Sequence, residues 1–216
     1  MLRCFVLSAV LVCASTICAT AHPHLFVDAK VTISFDAAGN VSAIRNQWTF
    51  DRAFSVWQVQ GMDRDGDGTT TPQELQGLAD ENLVALADFG FYTSIGRGDE
   101  AVPLEAEGAA RFEFANQRST LTFTVRPQSD YPVGGGLDIS VADPAYYVGI
   151  TFAGESDVTV ENLPEDCSYE LMAGSPMADD VAAQLGALGP DVLQLPADLA
   201  ARLRGSQQSI VVQCGP

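Results

Sequence analysis

The stretch that decides the fold is Leu25-Phe-Val-Asp-Ala-Lys-Val-Thr-Ile-Ser-Phe35, in which apolar and polar residues alternate. Every odd-numbered residue is apolar, and every even-numbered residue except Phe26 is polar. Successive side chains of a β-strand point to opposite faces, so this alternation predicts a half-buried strand. Asp36 to Asn40 has turn composition, and Val41 to Phe50 reads as a second strand. The pattern therefore predicts a β-hairpin.

Strand-like alternation returns after Phe91 and is separated by short, turn-rich segments, which favours antiparallel pairing. The clearest segments are 120–126, 137–141, 146–152, 158–160, 169–171 and 209–214. Ser175-Pro176 predicts the start of a helix, with Asp179 and Asp180 in its first turn. The fold class expected is α+β: a mainly antiparallel sheet or sandwich with an inserted helix-loop-helix and C-terminal helices.

Residues 1–21 have the pattern of a signal peptide. Arg3 provides a positive start, Cys4 to Ile17 is mostly apolar, and Ala19-Thr20-Ala21 is a small-residue cleavage site. We expect cleavage after Ala21 and export of one domain, residues 22–216. No later stretch approaches the ~20 apolar residues that a membrane helix needs, so we expect no membrane anchor after cleavage.

The acidic composition limits the partners that this chain can bind. Removal of Arg3 with the signal leaves 10 basic against 28 acidic residues, a net charge of −18. Such a surface repels nucleic acid and attracts cations. Cys167 and Cys214 would be the remaining cysteines. An even pair in an exported protein predicts a disulfide, and a two-thiolate metal site is the alternative.

Residues 52–89 are predicted to form a helix-loop-helix insert around an EF-hand-type calcium loop, Asp63 to Glu74. The predicted Ca²⁺ ligands, in chain order, are Asp63, Asp65, Asp67, the Thr69 carbonyl, Thr71 and Glu74. Gly68 occupies the sixth position, where the chain turns sharply. The alternative is a solvated acidic turn, with Thr71 to Glu74 serving as a capping box. Since no partner loop is present in the sequence, we expect a dissociation constant of ~10⁻⁴ to 10⁻³ M.

The two histidines would lie at the mature N-terminus, His22-Pro23-His24. Two imidazoles and a free amine are ligands that suit zinc, copper or nickel, and an ordinary terminus is the alternative. Asp51 and Asp143 are secondary candidate ligands. Asp51 has the alternative role of a helix cap, and Asp143-Pro144 is also a turn signal.

These motifs together carry a family resemblance, from His22 to about Phe152. Its segments are His22–Asp28, Trp48–Asp51, the acidic loop Asp63–Glu74 and Asp143–Tyr147. The chain resembles an uncharacterised family of bacterial periplasmic proteins, described as the periplasmic component of an ABC-type transport system and linked to nickel/cobalt-type permeases and zinc supply. The resemblance implies a periplasmic location, Zn²⁺ or Ni²⁺ as cargo, and an inner-membrane metal permease as partner.

Three functions follow from these observations. The first is a metal-binding accessory protein with a structural calcium site, and the second is a calcium-stabilised interaction module without a transition-metal role. An enzyme ranks last, because no histidine would remain outside the terminus for a Ser-His-Asp or Cys-His arrangement. Paired carboxylates stay open as an alternative, but we expect no catalytic residues.

Overall fold

The computed structural model describes residues 23–98, 100, 102–189, 192, 194–203 and 205–215. The predicted signal peptide, residues 1–21, and the candidate ligand His22 lie outside the described residues. Within the described part, ten strands and four α-helices form the expected α+β fold. Across the same residues, no helix is both long enough and apolar enough to cross a membrane.

The bounds of the elements are as follows. The strands are β1 (Leu25–Phe35), β2 (Val41–Phe50), β3 (Thr93–Gly96), β4 (Leu104–Ala115), β5 (Arg118–Pro127), β6 (Gly136–Val141), β7 (Val148–Thr151), β8 (Val158–Glu161), β9 (Cys167–Met172) and β10 (Ser209–Cys214). The helices are α1 (Arg52–Gln58), α2 (Gln76–Ala87), α3 (Asp179–Gly186) and α4 (Ala197–Leu203).

Strand β1 is the centre of the larger sheet, whose order is β4-β5-β2-β1-β7, with β8 also paired to β1. The predicted hairpin of β1 and β2 is confirmed, with Val27 opposite Phe50 and Ile33 opposite Ile44. All the odd-numbered residues of β1 after Leu25 are buried, as the alternation predicts.

The expectation of antiparallel pairing is wrong at one edge of β1. Leu25 aligns with Val148 of β7, and Val31 aligns with Val158 of β8, and both pairings are parallel. Since β2 already occupies one edge of β1, the returning chain can pair only with the other edge. It does so in two short strands laid end to end along that edge.

The second sheet has the order β3-β6-β10-β9 and is antiparallel throughout. Its apolar residues join those of the first sheet in one core, which includes Ile139 and Ile210 from this sheet and Ile33 and Phe123 from the other. The two sheets therefore form a sandwich. The predicted disulfide is confirmed: Cys167 of β9 and Cys214 of β10 are bonded, with an S–S distance of 2.00 Å.

The helices lie outside the sandwich. Helix α2 packs on β4, and α1 contacts β5. Helices α3 and α4 form a small core of their own from Val181, Leu185, Leu199 and Leu203, against which Tyr146 packs. Helix α3 begins at Asp179 rather than at Ser175, and Asp179 and Asp180 do lie in its first turn. A separate helix-rich layer thus rests against the segment before β7.

Candidate functional site

Three carboxylates of the acidic loop lie together between α1 and α2. One carboxylate oxygen from each of Asp63, Asp65 and Asp67 lies within 4.8 Å of the other two. Asp63 accepts backbone N–H groups from Gly66 at 2.8 Å and from Gly68 at 2.9 Å. Both glycines have positive φ, 74° and 85°, which most other residues adopt only with strain. The glycines therefore let the chain curl around Asp63.

The other two aspartates are fixed in the same way. Asp65 accepts the N–H of Asp67 at 3.2 Å, and Asp67 accepts the N–H of Thr69 at 2.7 Å. Asp65 and Asp67 are exposed, while Asp63 is half-buried. Backbone donors thus hold three like charges close together, although the carboxylates repel one another.

Glu74 ties the end of the loop to its beginning. Its Oε1 accepts the N–H of Arg64 at 2.7 Å, and its Oε2 accepts the N–H of Thr71 at 2.8 Å and the hydroxyl of Thr71 at 2.9 Å. The N–H of Thr71, followed by that of Arg64, lowers the pKa of Glu74 to about 2. The Thr71 hydroxyl in turn accepts the N–H of Glu74. This is the reciprocal geometry of a capping box, so Glu74 must release backbone donors to bind an ion with both oxygens.

His24 lies at the start of β1, against the segment that precedes β7. Its backbone N–H donates to the backbone carbonyl of Tyr147 at 2.9 Å, and the centroids of the two side-chain rings lie 4.9 Å apart. Pro23 crosses Gly149 so closely that a Cβ at Gly149 would lie 2.9 Å from its Cγ. Because Gly149 has no Cβ, the N-terminal segment can lie over β7, and His24 is positioned beside Tyr147.

The two secondary candidates have defined hydrogen bonds of their own. Asp51 caps α1 by accepting the N–H of Phe54 at 3.0 Å, and its second oxygen accepts the N–H of Phe26 at 3.4 Å. Asp143 is only 1 % exposed and accepts N–H groups from Ala145 at 2.8 Å and Val148 at 2.9 Å. Asp51 therefore caps a helix, and Asp143 organises a turn. Metal binding by either of them, and by His24, stays a prediction.

A cavity of about 520 Å³ at this end of the molecule was not anticipated from the sequence. Its lining includes Phe89, Tyr92, Asp143, Tyr147, Leu195 and Ala200. Burial, followed by the nearby charge of Asp143, raises the pKa of Tyr92 to about 12. The available sequence signal was the clustering of aromatic residues at positions 89–92 and 146–147. Nothing local indicated that these two segments meet.

The sandwich, the disulfide and the acidic loop between two helices define the class: a disulfide-bonded α+β protein with a cluster of cation-attracting carboxylates. The chain belongs to the family described as "Protein of unknown function (DUF1007)", whose model matches residues 7–214. A comparison with curated proteins finds no match. The family match extends past Phe152, where the resemblance noted in the sequence ends, through α3, α4 and β10.

Proposed function

We propose that the protein is a periplasmic metal-binding accessory protein of a transition-metal transport system, and that its acidic loop is a structural calcium site. The observation that carries the proposal is the convergence of Asp63, Asp65 and Asp67, whose oxygens lie within 4.8 Å of one another. Calcium binds six to eight oxygens, mostly carboxylates and carbonyls. A dication would replace repulsion among the three charges with attraction.

The position of the loop supports a structural role for calcium. Helix α1 leads into the loop from β2, and α2 leads out of it and packs on β4. An ion bound by Asp63 and Glu74 would join the segment that follows α1 to the segment that precedes α2. Because Glu74 must give up its bonds to Arg64 and Thr71, we expect the modest affinity of extracellular modules.

The transition-metal part of the proposal is supported by the position of His24 and by the disulfide. His24 is exposed at the first strand, and the neighbouring Tyr147 belongs to another segment of the family resemblance. The disulfide of Cys167 and Cys214 supports an oxidising compartment, because such bonds persist outside the cytosol. Zinc or nickel as cargo, and a metal permease of the inner membrane as partner, rest on the resemblance.

A calcium-stabilised interaction module is the second candidate. It is favoured by exposed apolar side chains on the helices beside the loop: Trp57 is 66 % exposed and Val84 is 73 % exposed. Large exposed apolar residues mark a contact surface where they form one contiguous patch, which this candidate function requires of these side chains. This function requires calcium binding but no transition metal.

Calcium binding can be tested by unfolding the mature protein with 10 mM Ca²⁺ or with a chelator. For dissociation constants of ~10⁻⁴ to 10⁻³ M, calcium should stabilise the wild type by about 1.4 to 2.7 kcal/mol. Asp63→Asn should abolish this difference. Glu81→Gln, an exposed change on α2, is the matched control and should keep it. A wild type whose stability is the same in both buffers would refute the calcium site.

The transition metal can be tested by measuring the metal content of protein purified from the periplasm, with its N-terminus confirmed by intact mass. Stoichiometric zinc or nickel in the wild type, lost in His22→Ala/His24→Ala, is the expected result. Absence of zinc and nickel from both proteins would leave the interaction module as the function.

A further inference from the structure

The cavity beside Tyr147 has aromatic walls that come from distant parts of the chain. Phe89 and Tyr92 follow α2 and form one side, with ring centroids 5.5 Å apart. Tyr147 lies in the segment before β7, and Leu195 and Ala200 approach from the region of α4. The cavity therefore lies where the sandwich meets the C-terminal helices. Its volume of about 520 Å³ is within the usual range for small-molecule sites.

Three of the six non-glycine residues with positive φ in the described part of the chain lie at or beside this cavity. Phe91, Tyr92 and Tyr146 have positive φ values of 58°, 46° and 56°. Left-handed backbone is uncommon for bulky residues. Tyr92 itself lines the cavity, Phe91 precedes it, and Tyr146 precedes the lining residue Tyr147. Strained residues that the surrounding structure maintains tend to cluster at ligand sites, so the aromatic walls have the character of a built site.

A buried negative charge lies at this cavity. Asp143 is 1 % exposed, and none of the ion pairs within the described residues involves it. Among the described residues that line the cavity, none is positively charged. The two backbone N–H groups that Asp143 accepts hold the carboxylate in place but do not cancel its charge.

We propose that this cavity binds a small organic cation of the substituted-ammonium class, with its charged head against the rings of Phe89, Tyr92 and Tyr147 and with Asp143 behind them. Aromatic faces attract a cation that has little hydration to lose, and the buried carboxylate adds a favourable charge. A bare divalent metal would instead need several oxygen ligands, which the apolar wall does not offer. This site is separate from the acidic loop and does not depend on calcium binding.

The proposal can be tested by calorimetric titration of the mature protein with choline and with its neutral carbon isostere, 3,3-dimethylbutan-1-ol. The two probes have nearly the same shape, so a difference between them measures the charge. We expect choline to bind on the order of tenfold more tightly, the ratio that one desolvated cation–π contact supplies. Equal affinity for the two probes would reduce the site to an apolar cavity, and no binding of either would overturn it.

Three variants identify where choline binds. Tyr92→Leu and Phe89→Leu keep apolar volume but remove a ring face, so each should weaken choline several-fold and leave the neutral alcohol nearly unchanged. Tyr169→Leu, on the exposed side of β9, is the matched control and should bind choline like the wild type. If Tyr92→Leu fails to fold, Phe89→Leu still tests the assignment, because Phe89 is 54 % exposed. Unchanged choline binding in folded Phe89→Leu would refute the assignment.

Discussion

The acidic loop and the aromatic cavity both use carboxylates, but in opposite surroundings. In the loop, Asp65 and Asp67 are exposed and stand close to Asp63. At the cavity, Asp143 is the one carboxylate among the described lining residues, and it is buried beside apolar and aromatic side chains. Each of these carboxylates is fixed by backbone N–H donors. The same local device therefore supports two sites that differ in charge density and in access to water.

This difference indicates which cation suits each region. Several solvated carboxylates favour a small, hard ion that exchanges water for oxygen ligands. One buried carboxylate among rings favours a large ion with weak hydration, because the ring faces attract its charge and the ion has little hydration to lose. The comparison can be tested through the carboxylates themselves, since their removal should affect stability very differently.

The largest effect is expected for Asp143→Asn. The new amide can accept only one of the two N–H groups, and its NH₂ group would face the other donor. An unsatisfied buried donor costs about 1–3 kcal/mol, so the free energy of unfolding should fall by that amount in urea titrations. Added calcium should not restore the lost stability. A loss below 0.5 kcal/mol would show that the turn from Asp143 to Val148 does not depend on the carboxylate.

An intermediate effect is expected for Asp51→Ala, because Asp51 is half-buried and caps a helix. Loss of an N-cap side chain costs about 1 kcal/mol, and the bond to Phe26 is lost as well. Asp51→Asn keeps an acceptor for Phe54 and should recover most of the stability. If both variants unfold at the same urea concentration as the wild type, the cap contributes nothing measurable.

The smallest effect is expected for Asp65→Asn in calcium-free buffer. The side chain is exposed and repelled by its neighbours, so the free energy of unfolding should change by less than about 0.5 kcal/mol. In 10 mM Ca²⁺ the same variant should lose the calcium-dependent part of its stability. A large loss of unfolding free energy in calcium-free buffer would show that Asp65, like Asp143, stabilises the fold, and would contradict its description as a solvated loop residue.

The charge of Glu74 predicts how stability depends on pH. Its pKa in the folded protein, about 2, lies below the ordinary value of 4.5. The stabilisation is therefore present above pH 4.5 and is lost as the pH falls from 4.5 through about 2. Glu74→Gln cannot titrate, so its stability should fall less over this range than that of the wild type. Parallel curves for the two proteins in acid titrations would contradict the assignment.

Elements that depend on neighbouring residues could be predicted from the sequence. The bounds of β1, β2 and β10 follow from alternation and turn residues, and the acidic cluster lies within five consecutive residues. The disulfide followed from the count of cysteines that would remain after signal cleavage. The strands and the acidic cluster depend on residues close together in sequence, and the disulfide has only one possible pairing of the two remaining cysteines.

Elements that depend on distant residues could not be predicted. The parallel pairing of β7 and β8 with β1 joins segments far apart in sequence. Strand β4 has weak alternation, with Gly108 near a register shift between Glu107 and Arg111. The cavity could not be predicted because its lining joins residues 89–92 to residues 143–147 and 194–200, and nothing local in these segments indicates that they meet.

The double parallel pairing of β1 also determines the order in which the molecule can be completed. A chain that emerges N-terminus first can close the hairpin early, but one edge of β1 then stays unsatisfied until residues 148–161 arrive. Such late, long-range closure is slow, and an open strand edge invites pairing with other chains. During folding there is therefore an interval in which β1 is paired with β2 on one edge and is unpaired on the other. A chaperone that holds the unfinished chain would be most useful during that interval.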